Sequence, residues 1–131
     1  MMMRAALLLA ALAVPVQAEP LLTAEEFDAL TLGRTMTWAE YGQVYGVEQY
    51  LPDRRVRWTE LGTDCKLGHW YPEGSAICFL YEDDPNPACW EIALSGSGMQ
   101  ADYLSDPPGT ETAIVTETTG TMPCLGPRVG S

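Results

Sequence analysis

The fold is decided by the stretch AICFLYEDDPNPACWEIAL, residues 76–94. Ile77, Phe79 and Tyr81 lie two residues apart, and the same period returns after the turn. Such a period places large side chains on one face of a strand. Residues 83–87, DDPNP, predict the turn because proline lacks the amide donor that a β-ladder uses and Asn favours loop geometry. The stretch therefore predicts a hairpin with one apolar face.

The same alternation extends in both directions from this hairpin. Eight strand-like runs are separated by short connections, and they cover residues 34–39, 47–51, 54–61, 65–71, 76–81, 88–94, 99–104 and 111–118. Consecutive short strands with one apolar face must close into a barrel or fold into a two-layer sandwich. We expect an all-β fold, a small antiparallel barrel of about eight strands, with a β-sandwich as the alternative.

The predicted interior consists of the large residues on the apolar faces. These are Met36, Trp38, Val56, Trp58, Trp70, Ile77, Phe79, Trp90 and Ile92. A barrel of roughly eight strands is just wide enough to be filled by side chains or to hold one small ligand. The sequence leaves these two possibilities open.

Only one segment predicts a helix. Thr23 and Glu26 are spaced for a capping box, and Phe27 is placed for a hydrophobic staple with the residue before the cap. Gly33 supplies the end, so we expect a short helix over about residues 24–32. A helix this short needs the body of the domain to hold it.

Residues 1–18 have the parts of a secretory signal peptide. A basic start at Arg4 precedes an apolar run over 5–14, and small residues precede a cut after Ala18. The run is shorter than the roughly 20 residues of a membrane helix. We expect a periplasmic or secreted single domain, residues 19–131, with no membrane insertion after cleavage.

The charge restricts the partners. The net charge is -11, and loss of Arg4 makes it -12, since all 18 acidic residues follow the cut. Such a surface repels phosphate backbones, so we expect neither nucleic acid nor anionic membranes as partners. We expect a monomer.

The four cysteines predict two disulfides in an exported chain, and spacing alone leaves three connectivities open. Cys78 and Cys89 flank the turn symmetrically, each opposite its strand's large apolar residues. We therefore expect a Cys78–Cys89 bridge, which leaves Cys65 to pair with Cys124.

The arginine strand is the first candidate binding site. Arg54, Arg55 and Arg57 are half of the six basic residues left after cleavage. In a strand Arg55 and Arg57 point the same way, and guanidinium groups suit carboxylate or phosphate partners. The alternative is that they neutralise Glu48, Glu60 or other acids on neighbouring strands.

The first hairpin is the second candidate, because Trp38, Tyr41, Tyr45 and Tyr50 crowd it. Tyrosine and tryptophan are enriched at binding surfaces. The alternative is that these aromatic residues belong to the hydrophobic core and to its edge.

No catalytic motif is present. His69 is the only histidine, and the alternation places it outside the core. We expect no enzyme activity, no cofactor and no metal. The expected function is a binding or inhibitor-like module for a small molecule, a peptide or an envelope protein. A structural or stress-related envelope protein is the alternative, and an enzyme is third.

Several short motifs resemble a group of small exported alphaproteobacterial proteins of unknown function. They are residues 33–35, 50–52, 54–58, 68–71, 77–79, 89–90 and 124–127. The resemblance implies no activity. The Gly68-His69-Trp70 strand is also similar to lipocalin-like and bacterial protease-inhibitor barrels, which implies an architecture alone.

Overall fold

A computed structural model describes residues 10–13 and 19–124. The predicted signal peptide, residues 1–18, lies outside the described residues except for 10–13, which are exposed and without regular secondary structure. Within these ranges no helix is long and apolar enough to cross a bilayer.

The fold is a closed antiparallel barrel of eight strands, so the barrel prediction is confirmed over the sandwich. One helix, α1, precedes the strands, and a 3-10 turn, η1, follows the second strand. The elements are α1 Ala24–Thr31, β1 Thr35–Glu40, β2 Gln43–Tyr50, η1 Pro52–Arg54, β3 Arg55–Glu60, β4 Lys66–Glu73, β5 Ala76–Tyr81, β6 Ala88–Ser95, β7 Gly98–Tyr103 and β8 Ala113–Glu117.

Each strand pairs with the next along the chain, and β8 returns to β1 to close the sheet. Trp38 faces Val115 across this closing pair. A bulge between Trp38 and Ala39 shifts the register of β1 against β2. Closure removes the free strand edges that an open sheet of this length would expose.

The interior matches the prediction closely. Seven of the nine expected residues are no more than 4% exposed, namely Met36, Trp38, Val56, Trp70, Ile77, Phe79 and Ile92. Trp58 and Trp90 are partly buried and pack against this core. A Cβ at Gly46 would collide with the Trp58 ring, and a Cβ at Gly68 would collide with the Leu80 carbonyl oxygen and with the edge of the Tyr81 ring. The centre of the barrel is therefore filled with aromatic side chains.

The helix closes one end of the barrel. Thr23 and Glu26 form the predicted capping box, with both hydrogen bonds present. Phe27 is fully buried, and its ring makes edge contacts with Tyr50, Trp70 and Phe79 at centroid distances of 5.6, 5.0 and 6.2 Å. Aromatic pairs in this geometry add about 0.5–1.5 kcal/mol each beyond their buried area.

Both predicted disulfides are present, Cys78–Cys89 and Cys65–Cys124. Cys78 and Cys89 are direct partners in the β5–β6 ladder. The symmetric placement of two cysteines about a turn was therefore sufficient to predict the pairing.

The second disulfide ties the segment after β8 to the start of β4. The Thr118 amide donates to the Thr35 carbonyl on β1, and six residues later Cys124 is bonded to the residue before β4. Met122 in this segment is buried. Val47 and Thr59, ladder partners in β2 and β3, are also buried, and the Thr59 hydroxyl donates to the Thr63 carbonyl in the β3–β4 connection.

Candidate functional site

A tight turn between β2 and β3 positions the arginines. Asp53 and Arg54 both adopt left-handed backbone angles, with φ of 63° and 58°. Two such residues in succession match the twist of a two-residue hairpin turn, but they cost free energy in residues other than glycine. The turn brings the Arg54 guanidinium over the Trp70 ring, 4.8 Å from its centroid. Arg54 is thus part of the packing that holds the turn.

Arg55 and Arg57 lie on the outer face of β3, as predicted. Arg55 is exposed and Arg57 is half-buried, while Val56 between them is fully buried. In the ladder Arg55 faces His69 and Arg57 faces Leu67, both on β4 and both exposed. We call the surface formed by Arg55, Arg57 and His69 the arginine face.

The two arginines of the arginine face form no ion pair within the described part of the chain. Arg34 lies 3.4 Å from Glu117 and Lys66 lies 3.4 Å from Asp83, and these are the ion pairs among the described residues. Neither Arg55 nor Arg57 has a described carboxylate oxygen within 4.0 Å.

Glu48, considered above as a partner for these arginines, points to the other side of the sheet. It is 1% exposed and lies in the barrel interior, facing Met36 and Trp58 in the two adjoining ladders. The Tyr81 hydroxyl donates to both Glu48 carboxylate oxygens, at 2.8 and 3.1 Å. Glu60 is exposed at the far end of β3.

Burial is the main cause that raises the pKa of Glu48 well above its usual value. The hydrogen bond from Tyr81 and the positive charge of Lys66 act in the opposite direction. The pKa of Tyr81 is also raised, by burial first and by the nearby Glu48 charge second. The interior therefore favours a protonated Glu48, because an isolated buried carboxylate is costly.

Two buried polar atoms near this centre lack a hydrogen-bond partner among the described residues, the Trp38 Nε1 and the Tyr50 hydroxyl oxygen. Burial raises the pKa of Tyr50, the Glu48 charge raises it further, and the Trp38 indole lowers it. The two side chains are thus near neighbours without hydrogen-bond geometry. Each unpaired group costs about 1–3 kcal/mol.

The predicted tyrosines do not form one surface. Tyr41 is 75% exposed at the tip of the β1–β2 hairpin. Tyr45 packs edge-on against Trp58, with centroids 6.0 Å apart. Tyr50 is 1% exposed at the helix end, where it contacts Phe27. The structure places Tyr41 in the β1–β2 turn and separates Tyr45 from Tyr50 along β2.

An open groove adjoins the arginine face. It has a volume of about 340 Å³ and is lined by Arg55, Leu67, Gly68, His69, Leu80, Tyr81 and Glu82. Leu67 is 53% exposed and Leu80 faces His69 in the β4–β5 ladder. No sequence pattern predicted this groove, because its walls come from three strands and the β5–β6 turn.

One group of metal-ligand types occurs among the described residues, Glu73 with Cys78 and Cys89. The Cys78 sulfur lies 3.8 Å from Glu73 Oε2. Both sulfurs are joined to each other in the disulfide, so neither is a thiolate ligand in this state.

The fold and the site together define a small disulfide-bonded β-barrel with a basic spot on an acidic surface. Comparison with known protein families, with curated proteins and with solved structures finds no match to this chain.

Proposed function

We propose that this chain is a periplasmic or secreted, non-catalytic binding or inhibitor-like module that recognises an acidic partner through the arginine face. The observation that carries the proposal is that Arg55 and Arg57 lie on the outer face of β3 and form no ion pair with a described acidic residue. Guanidinium groups bind carboxylates through two parallel hydrogen bonds in a planar, bidentate geometry, which gives both affinity and orientation.

The filled interior supports surface recognition over a ligand held inside the barrel. The Trp58 and Tyr81 rings lie against Gly46 and Gly68, and Phe27 closes the helix end. A ligand in the centre would have to displace these rings, whereas the arginine face meets a partner without rearrangement. Interfaces of this kind are enriched in arginine.

The proposed compartment rests on the leader and the two disulfides, which persist in oxidising environments. Intact-mass measurement of the protein expressed with its own leader should give a chain that begins at Glu19 and contains two disulfides. An unprocessed cytosolic chain with four free thiols would contradict the export proposal.

A structural envelope protein without a ligand is the second candidate, favoured by the two disulfides and the packed core. Capture from periplasmic extract on the immobilised protein, followed by mass spectrometry, separates the two. The binding proposal predicts a specific partner that excess free protein competes away. Recovery of nothing beyond the background of a blank matrix would favour the structural role.

The double variant Arg55→Gln, Arg57→Gln should fold almost as stably as the wild type. Exposed charges contribute roughly 0–1 kcal/mol each, and this pair makes no described ion pair that could be lost. Chemical denaturation measures the difference. A loss well above 2 kcal/mol would mean that the arginines serve the fold, and the binding proposal would lose its basis.

A further inference from the structure

We propose that the arginine face takes an extended acidic segment of a partner protein in which two carboxylates are separated by one residue, with an apolar side chain entering the adjoining groove. This inference rests on the proposed function and names its partner class.

The spacing of the arginines sets the spacing of the carboxylates. Arg55 and Arg57 are alternate residues of one strand, so they repeat at about 6.6–6.8 Å along it. An extended partner has the same repeat, and acidic residues two apart on it face the same way. In a helix, residues two apart do not share a face.

The groove supplies an apolar contact beside the charges. Leu67 stands opposite Arg57, and Leu80 lies one strand beyond His69. The side chain two residues beyond a carboxylate faces the same way, so it can contact the exposed Leu67 while the carboxylates meet the arginines. Buried apolar area contributes about 25 cal/mol per Å², which adds to the exposed ion pairs.

One acidic residue restricts what the segment can carry beside its apolar side chain. Arg55 lines the groove from β3, Leu67 and His69 line it from β4, and Glu82 lines it from the β5–β6 turn. The Glu82 carboxylate accepts a hydrogen bond from the Leu67 amide at 3.1 Å, which holds this acidic side chain beside Leu67. An acidic residue of the segment is therefore attracted on the β3 side of the groove and repelled beside Glu82, so a basic or neutral residue next to the apolar one fits best.

The test uses three synthetic peptides with blocked ends. The first is a nonapeptide of glycine and serine that carries two glutamates separated by one residue and a leucine two residues beyond the second glutamate, so that all three side chains face the same way. The second has the same composition with adjacent glutamates, and the third is a longer helical peptide with glutamates four apart. Titrations of the isotope-labelled protein followed by NMR at low salt give the affinity and the shifted amides.

We expect the first peptide to shift the amides of Arg55, Arg57 and Leu67. It should bind at least about tenfold more tightly than the adjacent-glutamate peptide, a difference of 1.4 kcal/mol. The Arg55→Gln, Arg57→Gln variant should lose the same factor, whereas Arg34→Gln, at a cation paired with Glu117, should not. Equal affinity of the first two peptides, tighter binding of the helical one, or no shift at 5 mM peptide would each overturn the inference.

The outcomes distinguish a failure of the spacing inference from a failure of the proposed function. If the arginine variant loses the captured envelope partner while the peptides show no preference for spacing, the spacing inference is wrong and the arginine face stands. If capture does not depend on the arginines, both are wrong.

Discussion

Phe27→Ala is expected to lower the free energy of unfolding by about 3–5 kcal/mol, the range found when a buried phenylalanine is truncated. Phe27 is fully buried and contacts Tyr50, Trp70 and Phe79 with its ring edge or face. Truncation removes these ring contacts and leaves a cavity, and both effects lower the stability. Guanidinium denaturation of the oxidised protein measures the loss.

The matched control is Leu32→Ala, at the C-cap position of the same helix. Leu32 is 48% exposed, so its truncation should change the stability by less than about 0.5 kcal/mol. A loss below about 1 kcal/mol for Phe27→Ala would mean that the helix does not hold the end of the barrel.

Glu48→Gln is expected to make the protein more stable at pH 8 and to remove one pH dependence of its stability. Burial raises the pKa of Glu48 in the folded state, so the folded protein keeps a proton that the unfolded chain releases. The contribution of this proton to stability is complete below the unfolded pKa, about 4.3. It is lost as the pH rises toward the folded pKa, at about 1.4 kcal/mol per pH unit.

Glutamine keeps the shape of Glu48 and an oxygen that accepts from Tyr81, but it does not titrate. At pH 8 the variant should exceed the wild type by at least about 1.4 kcal/mol, and the difference should shrink toward pH 4. Glu60→Gln, at an exposed position of β3, is the control. Its curve of stability against pH should run parallel to that of the wild type. Parallel curves for Glu48→Gln and the wild type would contradict the assignment of a buried, proton-binding carboxyl.

The barrel could be predicted because most of its strands alternate cleanly. The pattern fails in β2, where Val47 resembles a core residue and Glu48 a surface residue, whereas Glu48 faces the interior. Glu48 shares the inner face of β2 with Tyr50, and the hydrogen bonds to its buried carboxylate come from the Tyr81 hydroxyl on β5. That partner lies far along the chain, so no local pattern indicates it.

The helix was predictable as a local element, but its role was not. The capping box and Phe27 are local signals, whereas the contacts of Phe27 come from β2, β4 and β5. The candidate site was likewise predictable in its local features and not in its nonlocal ones. The strand period gave the common direction of Arg55 and Arg57. Which described acidic residues can pair with them depends on where Glu48 points, and the groove depends on residues far along the chain.

The most direct test of the binding proposal is the affinity of the captured partner for three proteins, the wild type, the Arg55→Gln, Arg57→Gln variant and the Arg34→Gln control. Calorimetry at physiological salt, with melting temperatures recorded in parallel, separates binding from folding. We expect the double variant to melt within a few degrees of the wild type and to bind at least about tenfold more weakly, a loss of 1.4 kcal/mol, while the control binds normally. Equal affinity of the double variant and the wild type would contradict the binding proposal.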